Sequence, residues 1–387
     1  MSSKPKILFC TSNSFPYIAG DGISALNFAL ELNKTHAKSS ILTLNFNNEN
    51  ASKTLYKGVK IYRVPFKNKN IFDKIFSRFI ILPFLIKHIF QNDVVLIYGR
   101  IISFRTIIIL ARIFGKKVIF RSTLSNSDDF ETLTKQSFFS KFVLSLISGY
   151  FAINPVFTES YLKIFKSKNK VFESCQGVDI EKFKPVDEKQ KLEIRKKLNL
   201  PRHDRIIITT GNLFKRKGFD EIFEQLSLLN VDFLYVVVGN HKTHKNHFLY
   251  KNRIEITKLF IKGNHLLKDK IQFVNPVENI EEYLQAADVF LFNSMQEGVP
   301  NSMLEAMSCG LPIVCREIPE TKNYITFNEQ NSLSFSDVSE MNNYILRIFE
   351  NQNLSENLGK NARNFIAEKY NICNVAESFV QKFISHN

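Results

Sequence analysis

The sequence predicts an α/β protein built of two doubly wound, Rossmann-like domains facing each other across a cleft. Three observations carry that prediction. At 387 residues the chain is longer than one compact core comfortably holds. Apolar strands alternate with segments able to form helices, the pattern of a parallel sheet with helices packed on it. That alternation pauses near residues 175 to 185, where Gly177 and Pro185 punctuate the chain, and then starts again. The charge changes at the same place. Met1 to Val178 holds 25 Lys+Arg against 10 Asp+Glu, and the remainder 27 against 27, so the whole net charge of +15 belongs to the first half.

The first half opens with "KILFCTSNSFPYIAGDGISALNFALELNK", which reads as a strand, a loop with Pro16, Gly20 and Gly22, and a helix carrying Ile23, Leu26, Phe28, Ala29, Leu30 and Leu32. Strands are then expected at "SSILTLNF", "DVVLIYG", "KKVIFRS" and "GYFAINP". The second half begins with a charged helix, "EKQKLEIRKKLNL", followed by strands in "RIIITTGNLFKRKGFDEIFEQL", "FLYVVVGN", "KIQFVNPV" and "ADVFLFNS". No internal repeat or low-complexity tract interrupts either half. In such sheets ligands bind beyond the carboxyl ends of the strands, so the loops leaving those strands are where chemistry is sought.

Composition narrows the class. Cys10, Cys175, Cys309, Cys315 and Cys373 are scattered and form no CxxC pair, which fits a reducing cytoplasm better than a disulfide framework or a zinc site. The start, "MSSKPKILFC", lacks the pattern of a signal peptide. The longest apolar run, "FIILPFLI", falls far short of the roughly 20 residues a spanning helix needs.

The most informative stretch is "NSMQEGVPNSMLEAMSCG". A strand ends at Asn293, a loop with Gly298 and Pro300 follows, and a helix is expected to begin near Asn301 with Ser302 also available as a cap. A helix N-terminus beside a loop suits an anion such as a diphosphate. Glu297 falls in the loop and Glu305 one turn into the helix, so one carboxylate can approach a reacting group while the other accepts hydrogen bonds from hydroxyls further along a ligand. The spacing equally fits a Glu305 that only favours the helix dipole and a solvated Glu297. A second loop, "TTGNLFKRKGFDEI", brings Lys215, Arg216 and Lys217 to a strand-to-helix junction between Gly211 and Gly218, a place that suits phosphate or is simply a basic surface turn. In "AGDGIS", Gly20 and Gly22 let backbone come close to a bound phosphate or sugar. His241, His244 and His247 in "HKTHKNHF" lack acidic or cysteine partners and read as a solvated loop, and no metal is expected.

These features in order resemble the retaining GT-B glycosyltransferases of family four, over nearly the whole chain. The run "VENIEEYLQAADVFLFNSMQEGVPNSMLEAMSCGLPIV" resembles that family's E-x7-E signature through Glu297 and Glu305, with support from "QGVDIEKFKP", the loop ending at Lys217 and Gly218, "VVVGN" and "NARNFIAEKYNICNVAESFVQKF". The resemblance implies an acceptor-binding domain over 1–178, a nucleotide-sugar-binding domain over 179–365, and a final helix over 366–387 crossing back onto the first. It implies that Glu297 and Lys217 are catalytic, Glu297 at the donor sugar and Lys217 at the diphosphate with Arg216. Glu305 would hold the ribose, and Gly22, Gly298, Asn301 and Ser302 would complete the donor site. The donor would be a nucleoside diphosphate sugar, UDP by default, used without a divalent metal. Two departures stand out. Asn212 occupies a position where the family often has arginine, and "RSTLSNSDDF" has no histidine where many members place one. Arg121, Ser122, Thr123, Asp128 or Asp129 could fill that space on the acceptor side.

The basic first half suggests an anionic surface. "FKNKNIFDKIFSRFIILPFLIKHIF" mixes cations with Phe, Ile and Leu, as an interfacial anchor does, or as a core helix with a basic end would. Its helical projection is not clean, with Ile80, Ile81 and Phe84 among polar positions, and Pro83 is expected to interrupt it. The resulting expectation is a cytoplasmic transferase, peripheral on the inner face of the cell membrane, acting on a glycan or lipid-linked glycan acceptor in polysaccharide or lipopolysaccharide synthesis. A sugar-nucleotide epimerase on the same fold and a basic nucleic-acid-binding protein are the competing readings. The second lacks any aromatic–basic RNA motif or zinc-finger spacing.

Overall fold

The computed structural model describes residues 4–15, 20–46, 50–67, 71–101, 103–241 and 252–384, with backbone alone at 46, 71, 72, 74, 75 and 78. They divide into two compact units: Met1–Gly177 with Ile372–Asn387, and Val178–Asn371.

The first unit is an eight-stranded sheet formed by β1 (Lys6–Cys10), β2 (Lys38–Phe46), β3 (Lys53–Tyr56), β4 (Val59–Phe66), β5 (Val94–Tyr98), β6 (Lys117–Arg121), β7 (Gly149–Ala152) and β8 (Val171–Glu173). The order is β3-β4-β2-β1-β5-β6-β7-β8. All pairs are parallel except β3 with β4. Strand β5 is buried at every residue, as a central parallel strand covered on both faces must be, which is why "VVLIY" shows no alternation. The β3–β4 hairpin is absent from the expected strands. Its turn, Lys57–Gly58, has φ of 45° and 87°, the doubly left-handed two-residue turn that hairpins favour, but Lys-Gly advertises it less clearly than Asn-Gly.

Helices α1 (Gly20–Thr35), α2 (Ile71–Phe90), α3 (Phe104–Ile113), α4 (Phe130–Lys135), α5 (Phe138–Ser145) and α6 (Pro155–Phe165) make the crossovers. Right-handed connection puts α1, which leads leftward from β1 to β2, on one face, and the others on the opposite face. Pro83 does not interrupt α2, which runs through it. The proline is exposed, so the Phe79 carbonyl that it leaves without a donor lies on the solvent side, where water can serve it.

The second unit is a six-stranded parallel sheet of β9 (Arg205–Thr210), β10 (Phe233–Val238), β11 (Ile271–Val274), β12 (Val289–Phe292), β13 (Ile313–Arg316) and β14 (Leu333–Phe335), ordered β11-β10-β9-β12-β13-β14. Around it lie α7 (Glu188–Lys197), α8 (Phe219–Ser227), α9 (Arg253–Leu267), α10 (Ile280–Ala286), α11 (Asn301–Ser308), α12 (Met341–Glu350) and α13 (Gln352–Lys369). Its core includes Ile207, Phe219, Phe223, Tyr235, Val237, Leu291 and Val314. Asp288 fastens α7 to the sheet, accepting from Lys191 at 2.6 Å, Arg195 at 2.7 Å and the Ile206 amide at 2.7 Å.

The closing segment differs from the single helix expected over 366–387. Residues 366–369 finish α13, which stays in the second unit, where Ile366 is buried and Arg363 donates to the Ile180, Phe183 and Ser308 carbonyls. Only α14 (Ile372–Phe383) belongs to the first unit, where the Phe379 ring sits 5.3 Å from Phe28 and 5.8 Å from Phe151.

Candidate active site

In the second sheet the strand order reverses between β9 and β12, the point at which open α/β sheets bind ligands. The loops leaving those two strands hold the residues singled out above. After β9 the chain passes through Gly211 to a 3₁₀ turn over Lys215–Lys217 and enters α8 at Gly218, whose φ is +67°. A side chain at Gly218 would collide with the carbonyl and side chain of Asn293, so glycine is required both by the backbone angle and by the close approach of the two loops.

Lys217, Arg216 and Glu297 meet there. Glu297 Oε1 accepts from Lys217 Nζ at 2.5 Å and from Arg216 Nη1 at 3.0 Å, and Arg216 also donates to the Gln296 carbonyl at 2.9 Å. The Met295 amide donates to the Arg216 carbonyl at 2.9 Å, which joins the loops through backbone as well. Glu297 is therefore not a solvated loop residue but is buried. Burial acts to raise its carboxyl pKa, yet Lys217 and Arg216 outweigh it and hold the group below the usual glutamate range. Lys217 is held below the usual lysine range, by burial first and by Arg216, with Glu297 opposing. The three groups carry two positive charges against one negative, a surplus fixed in a water-poor place.

Lys215, by contrast, is exposed, and its amide donates to Glu255 at 2.6 Å. Asn212, where arginine was looked for, accepts from the Asn240 amide at 3.1 Å and side chain at 2.7 Å, tying together the loops after β9 and β10.

Beyond Glu297, Gly298 and Pro300 lead into α11, which begins at Asn301 as expected. The residue in the capping position is Pro300, so no side-chain cap closes the helix, and neither Asn301 nor Ser302 plays that part. Glu305 projects from this helix. Burial pushes its carboxyl up to about 8, with Lys182 pulling it back and Glu281 adding to the rise. The two glutamates thus sit in unlike surroundings, one held charged by the cations that clamp it, the other pushed toward its neutral form.

One supporting cluster escaped the sequence reading. Asn293 donates to the Gly218 carbonyl at 3.0 Å and to Glu221 at 2.8 Å, and accepts from Arg316 at 2.8 Å, while Arg316 pairs with Glu221 at 2.5 Å. It locks β12, β13 and the start of α8 into one frame. The only sequence sign was an asparagine closing an apolar strand.

The acceptor-side candidates fare differently. Asp128 accepts from the Thr123 amide at 2.8 Å and hydroxyl at 2.5 Å and from the Leu124 amide at 3.0 Å. Asp129 caps α4 through Thr132 at 2.9 Å and takes the Ser160 hydroxyl at 3.1 Å. Both are buried, Asp128 bonded within its own loop and Asp129 to α4 and α6. Arg121 is buried between the Tyr98 and Phe151 rings and donates to Ser24 at 3.2 Å and Gln176 at 3.1 Å. Gly22 has a local use: a side chain there would lie 2.6 Å from the Asn13 carbonyl, so the glycine admits the chain's own backbone. His241 is not solvated. It is buried, stacked 5.5 Å from Phe260, with Nδ1 3.1 Å from the Gly239 carbonyl. His244 and His247 lie outside the described residues. Among the described residues no group of three or more His, Cys, Asp or Glu is placed to hold a metal.

Residues 190–365 match the model of the family described as glycosyl transferases group 1, and the fold of the chain is GT-B. Among similar proteins, an Escherichia coli UDP-Gal:alpha-D-GlcNAc-diphosphoundecaprenol alpha-1,3-galactosyltransferase is 29% identical over 203 residues, 51% of this chain and 49% of that protein. A Campylobacter jejuni N,N'-diacetylbacillosaminyl-diphospho-undecaprenol alpha-1,3-N-acetylgalactosaminyltransferase is 25% identical over 206 residues, 50% of this chain and 51% of that protein. The chain spans about half the length of these curated relatives. In overall fold it is similar to Anabaena HepE in complex with UDP and glucose, with a TM-score of 0.75, 13% identity, and coverage of 98% of this chain and 100% of that one.

Proposed function

We propose that the chain is a retaining glycosyltransferase that moves a sugar from a nucleoside diphosphate donor, UDP-linked by default, to a lipid-linked glycan acceptor, without a divalent metal. The observation that carries this reading is the Lys217–Glu297–Arg216 cluster at the switch point of the second unit. Its surplus positive charge lies beside the uncapped start of α11, a setting complementary to a diphosphate. When the bond from the anomeric carbon to the diphosphate breaks, negative charge develops on the leaving oxygen. Lys217 and Arg216 stabilise it with little reorganisation because Glu297 already holds them in place. Glu297 also takes the donor sugar's hydroxyls and Glu305 the ribose. The first unit, carrying all the excess charge, binds the acceptor and rests on the anionic inner face of the membrane. Support for the acceptor class comes from the relatives whose names specify diphosphoundecaprenol substrates. No helix among the described residues is long and apolar enough to cross a membrane.

The test is transfer from a panel of UDP-, GDP- and ADP-sugars, with chelator present, to a lipid-linked and to a short soluble acceptor. Glu297→Ala should abolish transfer with modest loss of donor binding, whereas Lys217→Ala should weaken both. An intact turnover rate in Glu297→Ala, chelator-sensitive transfer, or full activity on the soluble acceptor with no lipid dependence would each remove the corresponding part of the proposal. Release of a free sugar epimer without acceptor would replace transfer by epimerisation.

A further inference from the structure

Helix α2 is apolar on two sides. Ile81, Leu85 and Ile89 point inward and are buried. On the opposite side Phe76, Phe79, Pro83, Ile86 and Phe90, spaced three and four residues apart, form one helical stripe, and all are exposed. Phe76 is 67%, Phe79 69% and Phe90 65% exposed. This double character explains why the helical projection of the sequence is not clean. Nearby, on the same face of the sheet, α5 turns Phe138, Phe139 and Phe142 outward at i, i+1 and i+4, with Phe138 88% exposed. Helix α3 packs against both α2 and α5, and its end adds exposed Ile113. Large apolar side chains gathered in this way on one surface mark a place that another body covers.

We infer that the α2 stripe and the α5 phenylalanines form a single insertion face for an anionic bilayer, with α5, which no sequence signal had marked, as its second wedge. The inference rests on the proposed membrane setting of the acceptor and assigns the surface that meets it. Charge selects the bilayer over a second copy of the chain: exposed Lys87, Arg112 and Lys141 border the phenylalanines, in the unit that carries the whole +15. Two such faces brought together would set these cations against each other, whereas anionic headgroups would neutralise them while the rings enter the acyl boundary. Such an interface has a salt-sensitive part from the lysines and a salt-resistant part from the rings.

The experiment is co-sedimentation of the full chain with phosphatidylcholine vesicles containing about 30% phosphatidylglycerol, and with pure phosphatidylcholine, at low salt and at about 0.5 M salt. No donor or acceptor is present. Phe138→Ser/Phe139→Ser/Phe142→Ser should lower anionic-vesicle binding about a hundredfold at both salts. Phe76→Ser/Phe79→Ser should act in the same direction. Lys87→Glu/Lys141→Glu should lower it mainly at low salt. These side chains are exposed, so unchanged circular dichroism should accompany each change. Unaltered binding in both phenylalanine variants would overturn the inference. So would a wild-type dimer in the ultracentrifuge that the phenylalanine variants turn into a monomer, because the face would then belong to a second copy. Failure of the transferase reading shows separately, as no transfer from any nucleotide sugar, whatever the vesicles report.

Discussion

Removing Glu297 should cost more stability than removing Glu297 and Lys217 together. The pair is close, 2.5 Å between Lys217 Nζ and Glu297 Oε1, and both side chains are largely buried. Taking away one member of a buried pair strands the other charge, which typically costs about 3–5 kcal/mol. Arg216, the more exposed of the two cations, can turn to water when its carboxylate is gone, so the penalty falls chiefly on Lys217. Glu297→Ala should therefore destabilise the second unit by about 3–5 kcal/mol, Lys217→Met by rather less, and the double variant by only about 1–2 kcal/mol. A coupling of at least about 2 kcal/mol should close the cycle. The chain has no Trp and two compact units, so a single fluorescence melt would not isolate the effect. Hydrogen exchange of the β9, β10 and β12 amides at pH 7 would, because these report opening of the second sheet alone. The pH sense follows from the depressed Glu297 carboxyl: its contribution is present above the usual glutamate range and is lost as pH falls through the lower folded value. If the double variant is less stable than Glu297→Ala, or the two changes simply add, the cations are not being held by Glu297 and the reasoning fails.

Gly218→Ala should destabilise the second unit by about 1–3 kcal/mol through the left-handed backbone and the collision with Asn293, and should slow transfer as Lys217 is displaced; hydrogen exchange of the β9 and β12 amides and kinetics check both. Glu305, raised to about 8, contributes stability that is fully present below about 4.5 and is lost as pH rises through 8. Glu305→Gln should thus match wild type near pH 4 and exceed it by at least about 1 kcal/mol at pH 9 in urea titrations, and a flat difference across that range would remove the buried-carboxyl reading. Asp288→Asn, which weakens the grip on Lys191 and Arg195, should cost about 2–4 kcal/mol by the same measurement.

The strands read most plainly in the sequence were those buried on both faces. "VVLIY" and the "III" of "RIIITT" show as apolar runs without alternation because both faces of these strands are covered. The β3–β4 hairpin alternates and carries Lys60 and Arg63, so it looked like surface chain. In the site, Glu297 and Lys217 were legible because their types are unusual beside glycine at strand ends. Whether they touched was not, since 80 residues separate them and only the β9–β12 neighbourhood brings their loops together. The hydrogen bonds of Asp128 and Asp129 were not legible for a physical reason: a short carboxylate that caps its own loop has the same composition as one that faces a ligand.

The position of α14 imposes an order on the making of this protein. The ring of Phe379 completes a cluster with Phe28, Phe151 and Phe172, yet it leaves the ribosome only after the whole second unit, Val178–Asn371, has been made. The unit that is translated first is thus finished last. Until then its α1 face stays open, and with it a group of aromatic rings that attract chaperones or neighbouring nascent chains. A stop codon just before Ile372 would release a polypeptide that keeps the Lys217–Glu297 pair but whose first unit lacks its closing helix.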